Sequence, residues 1–244
     1  MISVTQAQGR WHVTLNRPDK ANALSPAMLQ DLAGAAKAAH ADPELRSFIL
    51  TGAGDRVFCA GADVDGGEDM YDFTRSPLWE QASGAIAALP CLTIAALNGT
   101  LAGGGFAPAL ACDLRICTPG AKFFYPVLKR GFLPQPADVR RMAALIGTAQ
   151  AKLILMGGQK IDAAEALRIG LVDRVLPAAE FDGFLDSLTT DAAAAKPQSI
   201  AAIKRLFDDL NADELAECYA AAYFDEPQAI ARITRRPKAG PSSL

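Results

Sequence analysis

Phe58-Cys59-Ala60-Gly61-Ala62-Asp63 and Asn98-Gly99-Thr100-Leu101-Ala102-Gly103-Gly104-Gly105 are the stretches on which the reading of this chain turns. Each follows an apolar, strand-like run and leads towards a helical pattern. Two such turns, placed side by side, can aim one backbone N–H each at a single oxygen and stabilise a developing oxyanion without a metal. In Gly103-Gly104-Gly105 the main chain can approach a ligand with no Cβ in the way. A helix beginning there would add its dipole to the stabilisation. The competing use of these glycines is tight strand-to-helix packing.

Outward from the two turns, strand-like runs recur at Ser3–Gln6, Trp11–Leu15, Phe48–Thr51, Leu92–Leu97 and Leu114–Cys117. Several end in a glycine turn: Gly52-Ala53-Gly54, Asn98-Gly99 and Pro119-Gly120. Helical patterns lie between them, at Pro26 to Ala41 with Ser25 as N-cap and at Leu78 to Ala88. Strand, glycine turn and helix in repetition predict an α/β fold of stacked β-β-α units around one core. From Pro136 onward the pattern is almost wholly helical, starting with a helix from Pro136 to Leu145 and broken by a short strand near Leu171–Val175. The expected organisation is a core over residues 1–185 and a helical C-terminal region over 186–244 that supplies subunit contacts.

A chain of 244 residues buries a sizeable core without splitting into two domains. Half its residues are hydrophobic and its formal net charge is only −3, which predicts a globular protein with no nucleic-acid partner. No apolar run is long enough to span a bilayer and no signal peptide is read, so a cytoplasmic location is expected. Five cysteines at irregular spacing fit neither a disulfide framework nor a zinc site and read as buried thiols. The two histidines, His12 in a strand and His40 at the end of an Ala-rich helix, lie away from the glycine turns. A Ser-His-Asp site or a His-rich metal centre is therefore not expected.

Taken together, several segments resemble the crotonase superfamily of enoyl-CoA hydratases and isomerases. They are Leu15-Asn16-Arg17-Pro18-Asp19-Lys20-Ala21-Asn22-Ala23-Leu24, Phe58 to Val64, Asn98 to Gly105, Gly147…Ala151-Lys152…Leu155-Met156-Gly157-Gly158, and Ala163 to Val175. The resemblance runs from near residue 1 to about residue 236, in the family's order and spacing. It implies a crotonase-like spiral of β-β-α units that binds an acyl-CoA thioester, with coenzyme A as part of the substrate and no other cofactor. Its oxyanion donors, matched by motif position, are the N–H groups of Ala62 and Gly104. It implies CoA contacts from Lys20, Ala21, Asn22, Ala23 and Leu24 on the adenine side, and from Ala60, Asp63 and Val64. It also implies a homotrimer or dimer of trimers, in which Arg236 or Arg235 stands in for a C-terminal phosphate-binding lysine.

The resemblance breaks at the acid–base positions. Hydratases of the family carry two glutamates that hold and activate water, and here Ala107 and Val127 occupy those places. Neither side chain moves a proton, and each general acid or base is worth ~10²–10⁴ in rate. Efficient hydration is therefore not expected. Polar replacements are Tyr125 as a proton donor or carboxylate holder, Gln135 as an orienting amide, and Asp138 as a base or simply a first-turn aspartate of its helix. The acidic stretch Asp63, Asp65, Glu68, Asp69 and Asp72 is expected to form a mobile lid or a helix over the acyl pocket, with most of its charges solvated.

Two functional readings remain open. One is an acyl-CoA enzyme that makes an enolate and completes an isomerisation, decarboxylation or other lyase step. The other is a CoA-ester-binding protein that has lost turnover. A nucleotide-binding Rossmann domain fits poorly, because Ala102-Gly103-Gly104-Gly105-Phe106 lacks GxGxxG spacing.

Overall fold

A computed structural model of the chain describes residues 1–64, 70–208 and 210–223. Residues 65–69, the middle of the acidic stretch expected as a lid or helix, and the tail with Arg235, Arg236 and Lys238 lie outside the described residues.

The first strands, β1 (Ile2–Ala7) and β2 (Arg10–Leu15), form an antiparallel hairpin. Its turn residues Gln8 and Gly9 both have positive φ, +51° and +76°, as the two-residue turn that suits twisted strands requires. Strands β3 (Ser47–Gly52), β5 (Leu92–Leu97), β7 (Leu114–Cys117) and β10 (Arg174–Val175) then add in parallel, giving the order β1-β2-β3-β5-β7-β10. A second, smaller sheet has the order β4-β6-β8-β9, from Val57–Cys59, Thr100–Ala102, Lys122–Phe124 and Ile161–Asp162, and the short helix α6 (Ala163–Arg168) follows β9.

The chain winds between the two sheets. Each of β3, β5 and β7 is followed by a short strand of the second sheet and then by a helix: α3 (Leu78–Ala87), α4 (Phe106–Ala111) or α5 (Pro136–Leu155). In the first segment, a five-residue helix α2 (Met70–Thr74) precedes α3. The winding begins earlier, because β2 leads to a parallel bridge between Leu24 and Ala62 and then to α1 (Pro26–His40). Ser25 caps α1 as expected, its hydroxyl accepting from the Met28 N–H at 3.3 Å. Helix α5 runs past Leu145, but Gly147 at φ +76° interrupts its helical backbone.

The central strands are apolar on both faces, as strands covered on both sides must be. The two-residue period of β3 divides them: Phe48 and Leu50 enter the main core, while Ile49 faces the opposite way. Ile49, Ile94, Ala96 and Ile116 pack under Phe181 and Leu185 of α7 (Phe181–Ala194). Arg10 anchors the same helix by bonding Asp186 and Thr189, each at 2.6 Å. The boundary expected at 185/186 falls inside α7. Helices α8 (Pro197–Arg205) and α9 (Ala212–Tyr223) follow. Lys204 on α8 bonds the Cys91 carbonyl at 3.0 Å and Asp113 at 2.9 Å, which ties this region to the sheet.

Buried asparagines lock the corners of the spiral together. Asn22, fully buried, donates to the carbonyls of Ala53 and Val57 at 2.9 Å and accepts from the Arg17 N–H at 3.0 Å. Asn98 accepts from the Gly52 N–H at 3.1 Å and donates to the Gly54 carbonyl at 2.8 Å. The Gly52–Gly54 corner is thus clamped between two amides, and a Cβ at Gly52 would lie 2.9 Å from either side chain. Asn22→Ala would leave two partly buried carbonyls without these donors, at up to ~1–3 kcal/mol each. The expected result is a loss of about 3 kcal/mol in urea unfolding; a loss below about 1 kcal/mol would mean that the clamp contributes little.

All five cysteines are buried and free. Burial pushes the Cys59 and Cys112 thiols up to about 12, so neither supplies a thiolate nucleophile near neutral pH. No group of three or more His, Cys, Asp or Glu side chains able to hold a metal occurs among the described residues. No described helix is long and apolar enough to cross a membrane.

Candidate active site

Strands β4 and β6 lie side by side and parallel, so the turns that follow them leave the second sheet as neighbours. The two turns touch. A Cβ placed on Gly61 would stand 3.1 Å from both the Gly104 nitrogen and the Ala102 carbonyl. Gly61 and Gly103 have φ of +101° and +49°, the left-handed region open to glycine, and these reversals carry the main chain around the turns.

The residues flanking Ala62 are fixed on both sides. The Gly61 carbonyl accepts from the Leu24 N–H at 2.7 Å, and the Asp63 N–H donates to the Leu24 carbonyl at 2.9 Å. Asp63, 8% exposed, is also ion-paired with Arg17. Gly104 rests against the Trp79 ring, where a Cβ would come within 2.6 Å of ring carbon. Trp79 is itself held, its indole N–H donating to the Phe73 carbonyl at 2.9 Å. The helix after Gly105 has only six residues, Phe106–Ala111, so its dipole adds less than the sequence suggests and the local N–H groups carry the electrostatics.

Beside these turns lies a cavity of about 480 Å³. Ala62, Gly104, Tyr125 and Gln135 line it, as do Lys20, Ala23, Ala60, Asp63 and Val64. The structure therefore brings most of the expected residues to one place. Four are placed differently. Ala21 and Asn22 border a separate hollow of about 350 Å³ with Pro18 and residues 53–57, and the Asn22 amide is already committed to the corner clamp. Leu24 is 0% exposed with both backbone groups bonded, so it supports the loop and offers nothing to a ligand. Asp138 is likewise 0% exposed and sits behind the wall.

Val127, at one position where relatives are expected to carry glutamate, lines the cavity; Ala107, at the other, is 1% exposed in α4 and is not in its wall. Trp79, Arg130, Phe132 and Leu133 also line it. Sequence reasoning missed these four, since a tryptophan in a generic helical pattern gives no sign of packing on a glycine turn far along the chain. Tyr125 lines the cavity, while Phe106 and Pro108 are buried in α4.

From the wall, Tyr125 donates its hydroxyl proton to Asp138 Oδ2 at 2.8 Å. The other carboxylate oxygen, Oδ1, is buried with no hydrogen-bond partner. Burial is the main cause that pushes the Asp138 carboxyl up to about 7, with the Tyr125 bond and Arg141 acting in the opposite direction and Glu80 reinforcing the rise. Burial likewise raises Tyr125 well above the usual phenol value, the Asp138 charge adds to this, and the Gln135 backbone works against it. Gln135 uses its own amide to donate to the Thr74 carbonyl, which ties the end of α2 to the cavity loop.

The chain's relatives agree with this architecture. The family model described as enoyl-CoA hydratase/isomerase matches residues 5–227. "Probable enoyl-CoA hydratase echA6" of Mycobacterium leprae is 32% identical over 248 aligned positions, covering 97% of this chain and 98% of that protein. Carnitinyl-CoA dehydratase of Proteus mirabilis is 34% identical over 201 positions, covering 80% of this chain and 75% of its own length. The crystal structure of enoyl-CoA hydratase from Bacillus anthracis superposes with a TM-score of 0.87 at 27% identity, over 95% of this chain and 94% of that one. With two β-β-α turns in contact beside a single cavity, and with matches spanning almost its whole length, this chain belongs to the enoyl-CoA hydratase/isomerase family of the crotonase superfamily.

Proposed function

We propose that this chain is an acyl-CoA thioester enzyme that stabilises a thioester enolate with the N–H groups of Ala62 and Gly104, and that it completes an isomerisation or a decarboxylase/lyase step rather than hydration. The observation that carries the reading is the contact between the two turns at a cavity wall where Val127 stands in the expected place of a glutamate. An enolate needs donors aimed at one oxygen, and such a donor is worth ~3–4 kcal/mol in a transition state. Hydration also needs carboxylates to hold and activate water, and Val127 and Ala107 cannot do that. Tyr125 remains as a proton-bearing side chain in the wall, with Gln135 beside it to orient the acyl group.

Coenzyme A enters as part of the substrate, with no further cofactor. Lys20, Ala23, Ala60, Asp63 and Val64 border the same cavity and form the CoA side of the site. Arg236 from the C-terminal region contributes to phosphate in a trimer or dimer of trimers, in the cytoplasm. The absent glutamates also favour a second reading, an acyl-CoA-binding protein without turnover.

Mass spectrometry of the purified protein with enoyl-, 3-hydroxyacyl-, malonyl-type and aryl-CoA esters separates the readings. A shifted double bond or lost CO₂ is the expected result. Robust hydration would overturn the missing-glutamate argument, and tight binding with no conversion of any ester would establish the silent binder.

A further inference from the structure

Tyr125 lines the cavity and Asp138 does not, yet the two are joined by a 2.8 Å hydrogen bond in a place closed to water. A carboxylate fully removed from solvent, with one oxygen orphaned, is costly to keep unless it has work to do. A first-turn aspartate serving only its helix would sit at the surface, where ionisation costs little. Here α5 instead turns the side chain inward, onto Tyr125, a cavity-lining tyrosine whose phenol can pass it a proton.

We propose that Tyr125 and Asp138 form a buried proton relay, in which Tyr125 takes the α-carbon proton of the bound thioester while Asp138, never touching the ligand, takes the phenol's proton in the same step. The inference rests on the enolate reading above. The Cα–H bond breaks and its electron pair moves into the Cα–C bond as the thioester carbonyl becomes an enolate oxygen, held by the N–H groups of Ala62 and Gly104. The proton adds to Tyr125 Oη, and the Oη–H proton passes to Asp138 Oδ2. Reversal at the γ-carbon of a β,γ-unsaturated ester moves the double bond, with no water or co-reactant consumed.

The environment suits both partners. A phenol held well above its usual value makes a poor free base, because burial opposes the tyrosinate. In a concerted transfer it never ionises. A carboxylate held at about 7 is close to the value a base needs near neutral pH. The charged groups that bear on Asp138 are Arg141 on its own helix, which lowers its value, and Glu80 on α3, which raises it. Arg141 donates to Ser83 Oγ at 3.0 Å and lies 4.0 Å from Glu80, so these two charges partly offset each other at the relay.

The test is deuterium incorporation at Cα of butyryl-CoA in D₂O, read by mass spectrometry, with ester binding followed in parallel by calorimetry. The wild type is expected to exchange, with a rate that rises with pH and a midpoint coinciding with the Asp138 titration seen by ¹³C NMR of aspartate-labelled protein. Asp138→Asn and Tyr125→Phe are each expected to slow exchange by ~10²-fold or more while binding persists. Tyr125→Phe should also move the Asp138 titration upward, since it removes a bond that favours the carboxylate. Exchange within a few-fold of wild type in either variant, or a pH midpoint away from the Asp138 titration, overturns the relay and leaves the enolate reading standing. Wild-type protein that binds the ester without exchanging it overturns the enolate reading, and the relay with it. Should the Asn variant fail to fold, the Phe variant and the coincidence of midpoints still decide.

Discussion

Gly104→Ala is expected to reduce turnover and α-proton exchange by ~10²-fold or more while leaving CoA-ester affinity within a few-fold of wild type. The added Cβ would lie 2.6 and 2.7 Å from two ring carbons of Trp79. Real Cβ contacts do not come so close, so something must move. The indole has little room to yield: it is 2% exposed, bonded to the Phe73 carbonyl, and its ring centroid lies 5.2 Å from that of Phe73. The glycine turn must shift instead, carrying the Gly104 N–H away from the oxygen that it and Ala62 are to share. A hydrogen bond aimed at a developing charge loses most of its value with such a displacement, whereas Lys20 and Ala23, proposed for the CoA side, stand elsewhere on the wall. The double variant Gly104→Ala/Trp79→Leu, which removes the ring, is expected to recover a substantial part of the rate. Measured activity in Gly104→Ala equal to wild type would exclude this N–H as a transition-state donor; loss without recovery in the double variant would show that Trp79 is needed for more than its shape.

The sheet that carries the central core was legible because its longer strands announce themselves. Leu92–Leu97 and Leu114–Cys117 have the bounds expected from their apolar runs; β1 and β3 extend one residue further at both ends, β2 starts one residue earlier, and β10 starts three residues later than expected. The second sheet was not legible as a sheet. Its strands hold three residues or fewer, too few for a two-residue period to show, and they exist because stacked turns of the spiral align them. Helix α5 was read only to Leu145, since Gly147 breaks the pattern beyond it.

In the site, the backbone donors could be read because glycine marks them. The side chains were harder. Asn22 stands in a loop that resembles an adenine-binding segment, but sequence does not distinguish an amide offered to a ligand from one buried between two corners. Trp79 and Gly104 meet only through folding. Tyr125 and Asp138 were visible separately as candidates, and their bond spans the loop between the second sheet and α5. What makes them a pair is depth, which no local pattern encodes.

That depth has a measurable consequence for stability. Asp138 is held at about 7 in the folded protein, and in the unfolded chain it returns to the ordinary aspartate value near 4. Between those values the folded state keeps a proton that the unfolded state releases. Proton binding favours the fold there, so stability falls as pH rises through the interval and levels off above about 7. Asp138→Asn removes the titration, and with it this slope. The replacement amide must place its NH₂ where Oδ1 or Oδ2 stood, and a buried unpaired donor costs ~1–3 kcal/mol. Relief of the ionised carboxylate is the larger effect at alkaline pH, so near pH 8 the variant is expected to exceed wild type by on the order of 1–3 kcal/mol. Near pH 5 it should be equal or weaker. Urea unfolding at the two pH values checks this directly, and parallel wild-type and variant curves would mean that Asp138 keeps a near-normal value in the fold. A variant both more stable at pH 8 and slower in proton exchange would identify a buried charge retained against the interest of folding, as expected at a site where activity rather than packing sets the residue.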